Sequence, residues 1–170
     1  MKIKKIRIFH KHLSKSFLHK IIKLKMQEWK YSYKNQKNWV ENNFLDNDIH
    51  ILVFVKKELA GYTALRLKKF SNNNRNYYYF DTHVVLNKFK GIILIKDIKV
   101  SKILMNEVFK VQKKTKKLLV LLSKELTFKY YKYHKWKRIP KKNYELKYKK
   151  KLFAFVYPTN KFNKKSYIKF

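Results

Sequence analysis

The sequence predicts an α/β protein with one domain and a mixed sheet. Short stretches rich in β-branched and aromatic residues, typical of strands, alternate along the chain with stretches whose apolar residues recur at helical spacing. No internal repeat and no linker divides them. The chain has 170 residues, of which 45% are hydrophobic, and this is enough for one domain with its own core.

The first predicted elements are a strand and a helix. Residues 2–9 alternate Lys with Ile and Phe, a period of two that predicts a strand. Residues 13–29 place their apolar side chains largely on one helical face, and Ser14 is a suitable N-cap. Further along, the pattern predicts a shorter helix at 35–44 and two strands within 48–70 that a tight turn at 56–58 connects.

The second half of the chain begins with an aromatic strand. Residues 71–76 form a polar loop, and residues 77–86 are β-branched and aromatic, which predicts a strand. Residues 95–114 carry apolar residues at helical spacing. The remaining predictions are a buried strand at 117–123, an amphipathic helix at 125–135, strands around 136–139 and within 144–158, and a loose basic tail at 159–170.

Positive charge dominates the composition. The 44 basic residues outnumber the 10 acidic ones, and the net charge is +34. Such a charge fits a polyanionic partner: nucleic acid, an anionic lipid or a phosphorylated small molecule. However, residues with A/T-rich codons (Lys, Asn, Ile, Phe and Tyr) are all abundant, whereas Gly, Ala, Pro and Arg are scarce. Compositional drift therefore also explains the charge, which makes it weak evidence for a nucleic-acid partner.

Several classes of protein are excluded. The chain has no cysteine, so it contains no disulfide, no thiolate metal site and no cysteine nucleophile. No apolar run approaches the roughly 18 residues of a membrane span, and the basic N-terminus lacks the apolar stretch of a signal peptide. No histidine cluster with acidic companions predicts a metal site. These features fit a cytoplasmic protein without a metal.

Four stretches together resemble the GNAT superfamily of acyl-CoA-dependent N-acyltransferases. They are ELAGYTALRL (58–67), THVVLNKFKGIILI (82–95), SKILMNEVF (101–109) and TFKYYKYHKWKRI (127–139). They look like the family's central hairpin, its pyrophosphate-binding strand and turn, the helix behind that turn, and the late FYxKxGFKR segment. The resemblance implies a mixed, mostly antiparallel sheet flanked by about four helices, over residues 1–158.

The turn is where the sequence departs from the family pattern, Q/R-x-x-G-x-G/A. Lys90 takes the Gln/Arg position, and Ile93 and Ile95 occupy the next two glycine positions, while Gly91 remains. Glycines in such a turn let the backbone approach a phosphate closely, and β-branched residues do not easily adopt a left-handed conformation. The chain's other glycine, Gly61, also falls where the family tends to have one, which predicts a constrained backbone at both places.

The resemblance implies acetyl-CoA or another acyl-CoA as co-substrate. In the family, main-chain groups of the fourth strand hold the acyl carbonyl and pantetheine, which here means the main chain of Val84, Val85 and Leu86. The pyrophosphate is then expected at the turn and the helix N-terminus, with lysines neutralising its charge. The residues expected around it are Lys88, Lys90, Gly91, Ile92, Ile93, Ile95 and Lys96.

Two catalytic tasks have candidate residues. Asp81 is an acid inside an apolar strand, and a period of two places it on one face with His83 and Val85, so Asp81 or His83 is a candidate base. The alternatives are that Asp81 pairs with a lysine and that His83 is a satisfied, partly buried histidine. Tyr131 aligns with the family tyrosine that protonates the departing thiolate, although Tyr130 and Tyr133 are close enough to replace it.

The sequence leaves three functions open. The first is transfer of an acyl group from acyl-CoA to a small-molecule amine, for example an amino sugar. The second is a basic protein that binds nucleic acid or the ribosome, because stretches such as KYYKYHKWKR interleave aromatic and basic residues. The third is an inactive interaction module on a GNAT fold. The amine, the acyl chain and the oligomeric state are not encoded in a recognisable way.

Overall fold

A computed structural model describes residues 2–95, 98–146, 152–162 and 166–170. They form two compact units. The first unit comprises residues 1–66 and 81–111, and the second comprises residues 67–80 and 112–170.

The strands confirm the predicted mixed, mostly antiparallel sheet. Seven of them follow the hydrogen-bonded order β1-β2-β3-β4-β7-β10-β8, and β4 and β7 are parallel. The remaining four form two small two-stranded sheets. In chain order the strands are β1 (Ile3–Phe9), β2 (Ile49–Val55), β3 (Glu58–Lys69), β4 (Asn76–Val85), β5 (Ile93–Ile95), β6 (Ile98–Lys99), β7 (Leu118–Ser123), β8 (Lys137–Arg138), β9 (Tyr144–Glu145), β10 (Phe153–Tyr157) and β11 (Ile168–Lys169).

Among the residues that the structure describes, four α-helices accompany the sheet, as predicted. They are α1 (Lys15–Met26), α2 (Tyr33–Asn43), α3 (Val100–Thr115) and α4 (Phe128–Tyr133). The predicted cap of α1 is confirmed, because the Ser14 hydroxyl accepts a hydrogen bond from the Phe17 main-chain N–H at 3.2 Å. Ser32 caps α2 in the same way, which the sequence analysis did not anticipate.

The first unit has a core that α1 and α2 form with the sheet. Buried side chains of both helices cluster with those of β2, β3 and β4; examples are Ile21, Val40, Leu52, Tyr62 and Val84. The alternation of Lys and Ile in β1 produces the expected half-buried strand, which pairs with β2 over its full length. The core fixes the inward face of α1 and thereby the side chains that project from its last turn.

The second unit contains a cluster of its own, and the last residues of the chain belong to it. Val120 of β7 and Val156 of β10 are buried there with Ile139. Ile168 is also fully buried, in a strand that pairs with β9. The prediction of a loose tail is therefore wrong for residues 166–170, because Ile168 and Phe170 pack against this cluster.

Helix α3 begins later than the sequence predicted. The expected start was residue 95, but the helix begins at Val100. Strands β5 and β6 form a small hairpin between Gly91 and the helix. Ile95 and Ile98 are three positions apart, so their spacing also matches a helix, and periodicity alone does not separate the two structures.

A buried histidine links three elements of the first unit. His50 of β2 lies with Nδ1 2.8 Å from the hydroxyl of Tyr62 and with Nε2 3.0 Å from Nδ1 of His10. Burial lowers the pKa of His50 to about 3, and the nearby His10 and Lys25 add to the effect. His50 is therefore neutral in the folded protein throughout the physiological range.

This histidine predicts a loss of stability in acid. Between pH 6.5 and pH 3 the unfolded chain binds a proton at His50 that the native protein does not, so the free energy of unfolding falls as the pH falls. The slope is up to about 1.4 kcal/mol per pH unit, and the effect vanishes above pH 6.5. Urea unfolding at pH 7 and pH 5 measures it. His50→Gln is expected to show a smaller difference between the two pH values, and an unchanged difference would contradict the assignment.

Candidate active site

Strand β4 has an unusual backbone conformation next to the candidate base. Thr82 has a φ of 52°, a left-handed conformation that is uncommon for a residue other than glycine and rare inside a strand. Asp81 and Thr82, although adjacent in the strand, both line one cavity. That Asp81 and His83 share a face stays a prediction.

The carboxylate of Asp81 is held by two side chains. Arg66 of β3 donates from Nη1 to Oδ2 at 3.0 Å, and the Thr82 hydroxyl donates to Oδ1 at 3.2 Å. Both partners of the ion pair are largely shielded from solvent. The alternative that Asp81 pairs with a lysine is therefore replaced by a pair with an arginine, whose planar group restricts the orientation of the carboxylate.

Lys25 is the residue of this region that sequence reasoning missed. It lies in the last turn of α1, is only 4% exposed, and has its Nζ 4.2 Å from the centre of the Trp39 ring. Burial lowers its pKa to about 8; the charge of Arg66 acts in the same direction, and Asp81 opposes it. A signal was present in the sequence, because Lys25 follows the buried Ile21 by four positions and so lies on the apolar face of α1.

The cavity next to Asp81 and Thr82, here called the β4 cavity, has a volume of about 480 Å³. Aromatic side chains from the segment between α1 and α2 and from α2 itself form much of its wall. The lining residues are Lys25, Trp29, Tyr31, Asn35, Gln36, Trp39, Asp81 and Thr82.

A second, larger cavity of about 940 Å³ lies between α1 and the β2–β3 turn. Its floor is apolar, and five lysines contribute to its wall. Two residues that the sequence assigned to the cofactor, Leu86 and Lys88, line it. The lining residues are Lys20, Lys23, Leu24, Gln27, Val55, Lys56, Lys57, Glu58, Leu59, Leu86, Lys88 and Phe89.

The segment that follows β4 is tied to neighbouring elements by ion pairs. Lys90 lies 2.8 Å from a carboxylate oxygen of Glu28, and Lys88 pairs with Glu58. Both pairs are exposed, so each contributes only about 0–1 kcal/mol and exchanges readily for another anion. Gly91 follows with a φ of 75°, which confirms the predicted need for glycine at this position.

The isoleucines of the predicted turn belong to the small hairpin rather than to the helix N-terminus. Ile92 and Ile93 are both about half exposed. Ile95 ends β5, and Lys96 lies outside the described residues. The first main-chain N–H groups of α3 instead belong to residues 100–103, because these lack a helical acceptor. Helix α3 thus offers an N-terminus suited to an anion, but this N-terminus is at Val100.

Strand β4 lies between β3 and β7 in the seven-stranded sheet and is hydrogen-bonded to both. Its parallel ladder with β7 covers Tyr77 to Tyr79. Val84 and Val85, the residues expected to hold pantetheine, come after that ladder, and their side chains are buried. Their side chains thus anchor the strand in the core.

Tyr131 lies in the second unit, on α4. It is 9% exposed, and its ring packs against Phe80, Trp136 and Phe155. Burial raises the pKa of its hydroxyl well above the ordinary value, so the phenol keeps its proton. Tyr133 is 76% exposed. Of these two, Tyr131 is the one held in a fixed orientation.

Two further features of the described residues bear on function. Among them, no group of three or more His, Cys, Asp or Glu side chains is arranged to hold a metal ion. None of the helices that the structure describes has an apolar stretch long enough to cross a membrane.

Solved structures of N-acyltransferases resemble this chain over almost its whole length. ElaA from Escherichia coli superposes with a TM-score of 0.68 at 16% identity, over 91% of this chain and 99% of its own. PaiA N-acetyltransferase from Thermoplasma acidophilum, in complex with coenzyme A, gives a TM-score of 0.58 at 16% identity over 92% and 98%. Arabidopsis thaliana Naa50, in complex with the bisubstrate analogue CoA-Ac-MVNAL, gives 0.61 at 16% identity over 92% and 98%.

The chain therefore has the GNAT fold, as the sequence resemblance predicted. No protein-family model matches its sequence, and no curated protein is significantly similar to it. The likeness consequently rests on architecture, at sequence identities too low to transfer residue roles.

Proposed function

We propose that this protein is an acyl-CoA-dependent N-acyltransferase that acylates a small-molecule amine bound in the β4 cavity. The observation that carries the proposal is the cavity itself. It lies at Asp81 and Thr82 of β4, in a GNAT fold, and it combines aromatic walls with an oriented carboxylate. Structural neighbours that hold coenzyme A or a CoA-linked bisubstrate analogue support acyl-CoA as the donor.

The reaction assigns a task to each group. The neutral amine nitrogen attacks the thioester carbonyl, a C–N bond forms, and the C–S bond breaks. Asp81 accepts the amine proton, directly or through a water molecule, and the departing thiolate takes a proton to give free CoA. The main-chain groups of Val84 and Val85 are assigned to the acyl carbonyl and the pantetheine arm, and the N–H groups that begin α3 to the pyrophosphate.

The cofactor assignment is tested by calorimetry with CoA and acetyl-CoA at low and moderate salt. Binding that persists at moderate salt supports the proposal. No binding at low salt would overturn it. Binding of a short oligonucleotide with a steep salt dependence, in the absence of CoA binding, would favour a nucleic-acid partner instead. Release of free thiol from acetyl-CoA, with a panel of amines that includes amino sugars, then measures turnover.

Tyr131→Phe tests the general acid. If Tyr131 protonates the thiolate, kcat is expected to fall by about 100-fold. The ring contacts of Tyr131 stay in place in the variant, so the melting temperature is expected to change little. Tyr133→Phe is the matched control, because that side chain is mostly exposed. Equal kcat values for both variants would assign the role of acid elsewhere.

A further inference from the structure

The strongest unexplained feature of the β4 cavity is the ammonium group of Lys25. Lysine side chains are almost never fully buried unless an anion accompanies them. Within the part of the chain that the structure describes, the Lys25 side chain forms no hydrogen bond or ion pair, and the Trp39 ring is its contact. A cation–π contact compensates only part of the lost hydration of an ammonium group.

The charges around the cavity do not balance. Lys25 and Arg66 bring two positive charges, and Asp81 brings one negative charge that Arg66 already engages. Of the described residues that line the cavity, Asp81 is the acidic one. Burial lowers the pKa of Lys25 to about 8, and the charge of Asp81 opposes this effect without cancelling it. An anionic group brought by a ligand would restore the balance.

The other side chains that line the β4 cavity indicate which chemical groups the ligand carries besides the anion. Trp29, Tyr31 and Trp39 present flat apolar surfaces, which suit an aromatic or sugar ring. Asn35 and Gln36 add amide groups that both donate and accept hydrogen bonds. A cavity of about 480 Å³ accommodates one such ring with two polar substituents.

We propose that the acceptor amine also carries an oxyanion, a carboxylate or a phosphate, and that Lys25 binds this oxyanion while Asp81 faces the amine. The proposal rests on the function proposed above and specifies its substrate class. Lys25 is thus a specificity-determining residue. It acts on the affinity for the acceptor, whereas a role as general base would act on kcat.

Matched pairs of ligands test this assignment. Tyrosine and tyramine differ by a carboxylate, and glucosamine 6-phosphate and glucosamine differ by a phosphate. The wild-type protein is expected to bind at least one oxyanion-bearing member about ten- to a hundredfold more tightly than its partner, because hydrogen bonds between charged groups are strong. The pair that shows the preference identifies the oxyanion.

Lys25→Met is expected to reduce that preference about tenfold or more and to leave affinity for the partner without the oxyanion unchanged. The variant is also expected to melt no lower than the wild type, because it removes a buried charge. Lys20→Met is the matched control, since it removes the same charge from the same helix at the larger cavity. It is expected to keep the preference, which excludes general attraction of anions by a protein of charge +34.

Binding is measured by calorimetry without acetyl-CoA, so the outcome does not depend on turnover. Equal affinities within both pairs, or an equal loss of preference in both lysine variants, would overturn the proposal. Where turnover is observed, an equal fall in kcat for both members of a pair in Lys25→Met would overturn it in favour of a general base. Oxyanion-selective binding without acyl transfer would instead contradict the proposed enzyme function and leave the Lys25 assignment standing.

Discussion

Asp81→Asn is expected to lose activity and stability together. The amide has the size of the carboxylate but neither accepts the amine proton nor neutralises Arg66, whose guanidinium is held in a largely shielded position. One nitrogen of that group, Nε, is already buried without a hydrogen-bond partner among the described residues. We expect the free energy of unfolding to fall by about 3 kcal/mol and kcat/KM to fall by about 100-fold or more.

A second variant separates the two losses. In Arg66→Met/Asp81→Asn the uncompensated charge is gone, so stability is expected to recover by more than half while acyl transfer remains impaired. Glu41→Gln is the control for an exposed pair: Glu41 lies 3.2 Å from Lys37, and its loss is expected to change stability by less than about 1 kcal/mol. Urea unfolding and initial rates measure these effects. Recovery of activity in the double variant would show that Asp81 acts only through the structure.

Periodicity located β1, whose two faces differ in burial, whereas β2 is buried along its whole length and shows no such alternation. The alternation in β1, the tight turn between β2 and β3, and the aromatic β4 were each readable from local sequence. The start of α3 was not, because strands of two or three residues give too few positions for a period to be recognised. The sequence therefore predicted a helix that follows soon after Gly91, and it did not indicate the later start at Val100.

The site was only partly readable for a different reason. Asp81 was found as an acid in an apolar strand, but its partner Arg66 lies on another strand, and only the register brings them together. The left-handed backbone conformation at Thr82 could not be predicted, because no glycine stands at that position. Lys25 could not be singled out from the sequence, because it is one of 44 basic residues, and lysines are mostly exposed.

Gly61→Ala is expected to destabilise the protein by about 1–3 kcal/mol through a clash with α3. A Cβ at this position would lie 2.5 Å from Cγ1 of Val100 and 2.9 Å from Cδ1 of Leu104. Leu104 has two torsions with which to withdraw its methyl group, whereas the branched side chain of Val100 has one and is fully buried. The clash therefore displaces mainly Val100, the first residue of α3.

The same substitution is expected to weaken CoA binding, because moving Val100 displaces the N–H groups that we assign to the pyrophosphate. Calorimetry with CoA measures this loss, and urea unfolding measures the loss of stability. Val100→Ala in the same chain removes the clashing methyl group, so the two changes are expected to couple favourably by about 1 kcal/mol or more in a double-mutant cycle.

Gly91→Ala is the contrasting control for this cycle. Among the described residues beyond its two chain neighbours, no atom lies within 4 Å of the place that the alanine methyl group would take. Its φ of 75° makes the penalty one of backbone strain, about 1 kcal/mol, and that penalty should not respond to Val100→Ala. If Gly61→Ala responds no more than Gly91→Ala does, contact with α3 is not what requires glycine in β3.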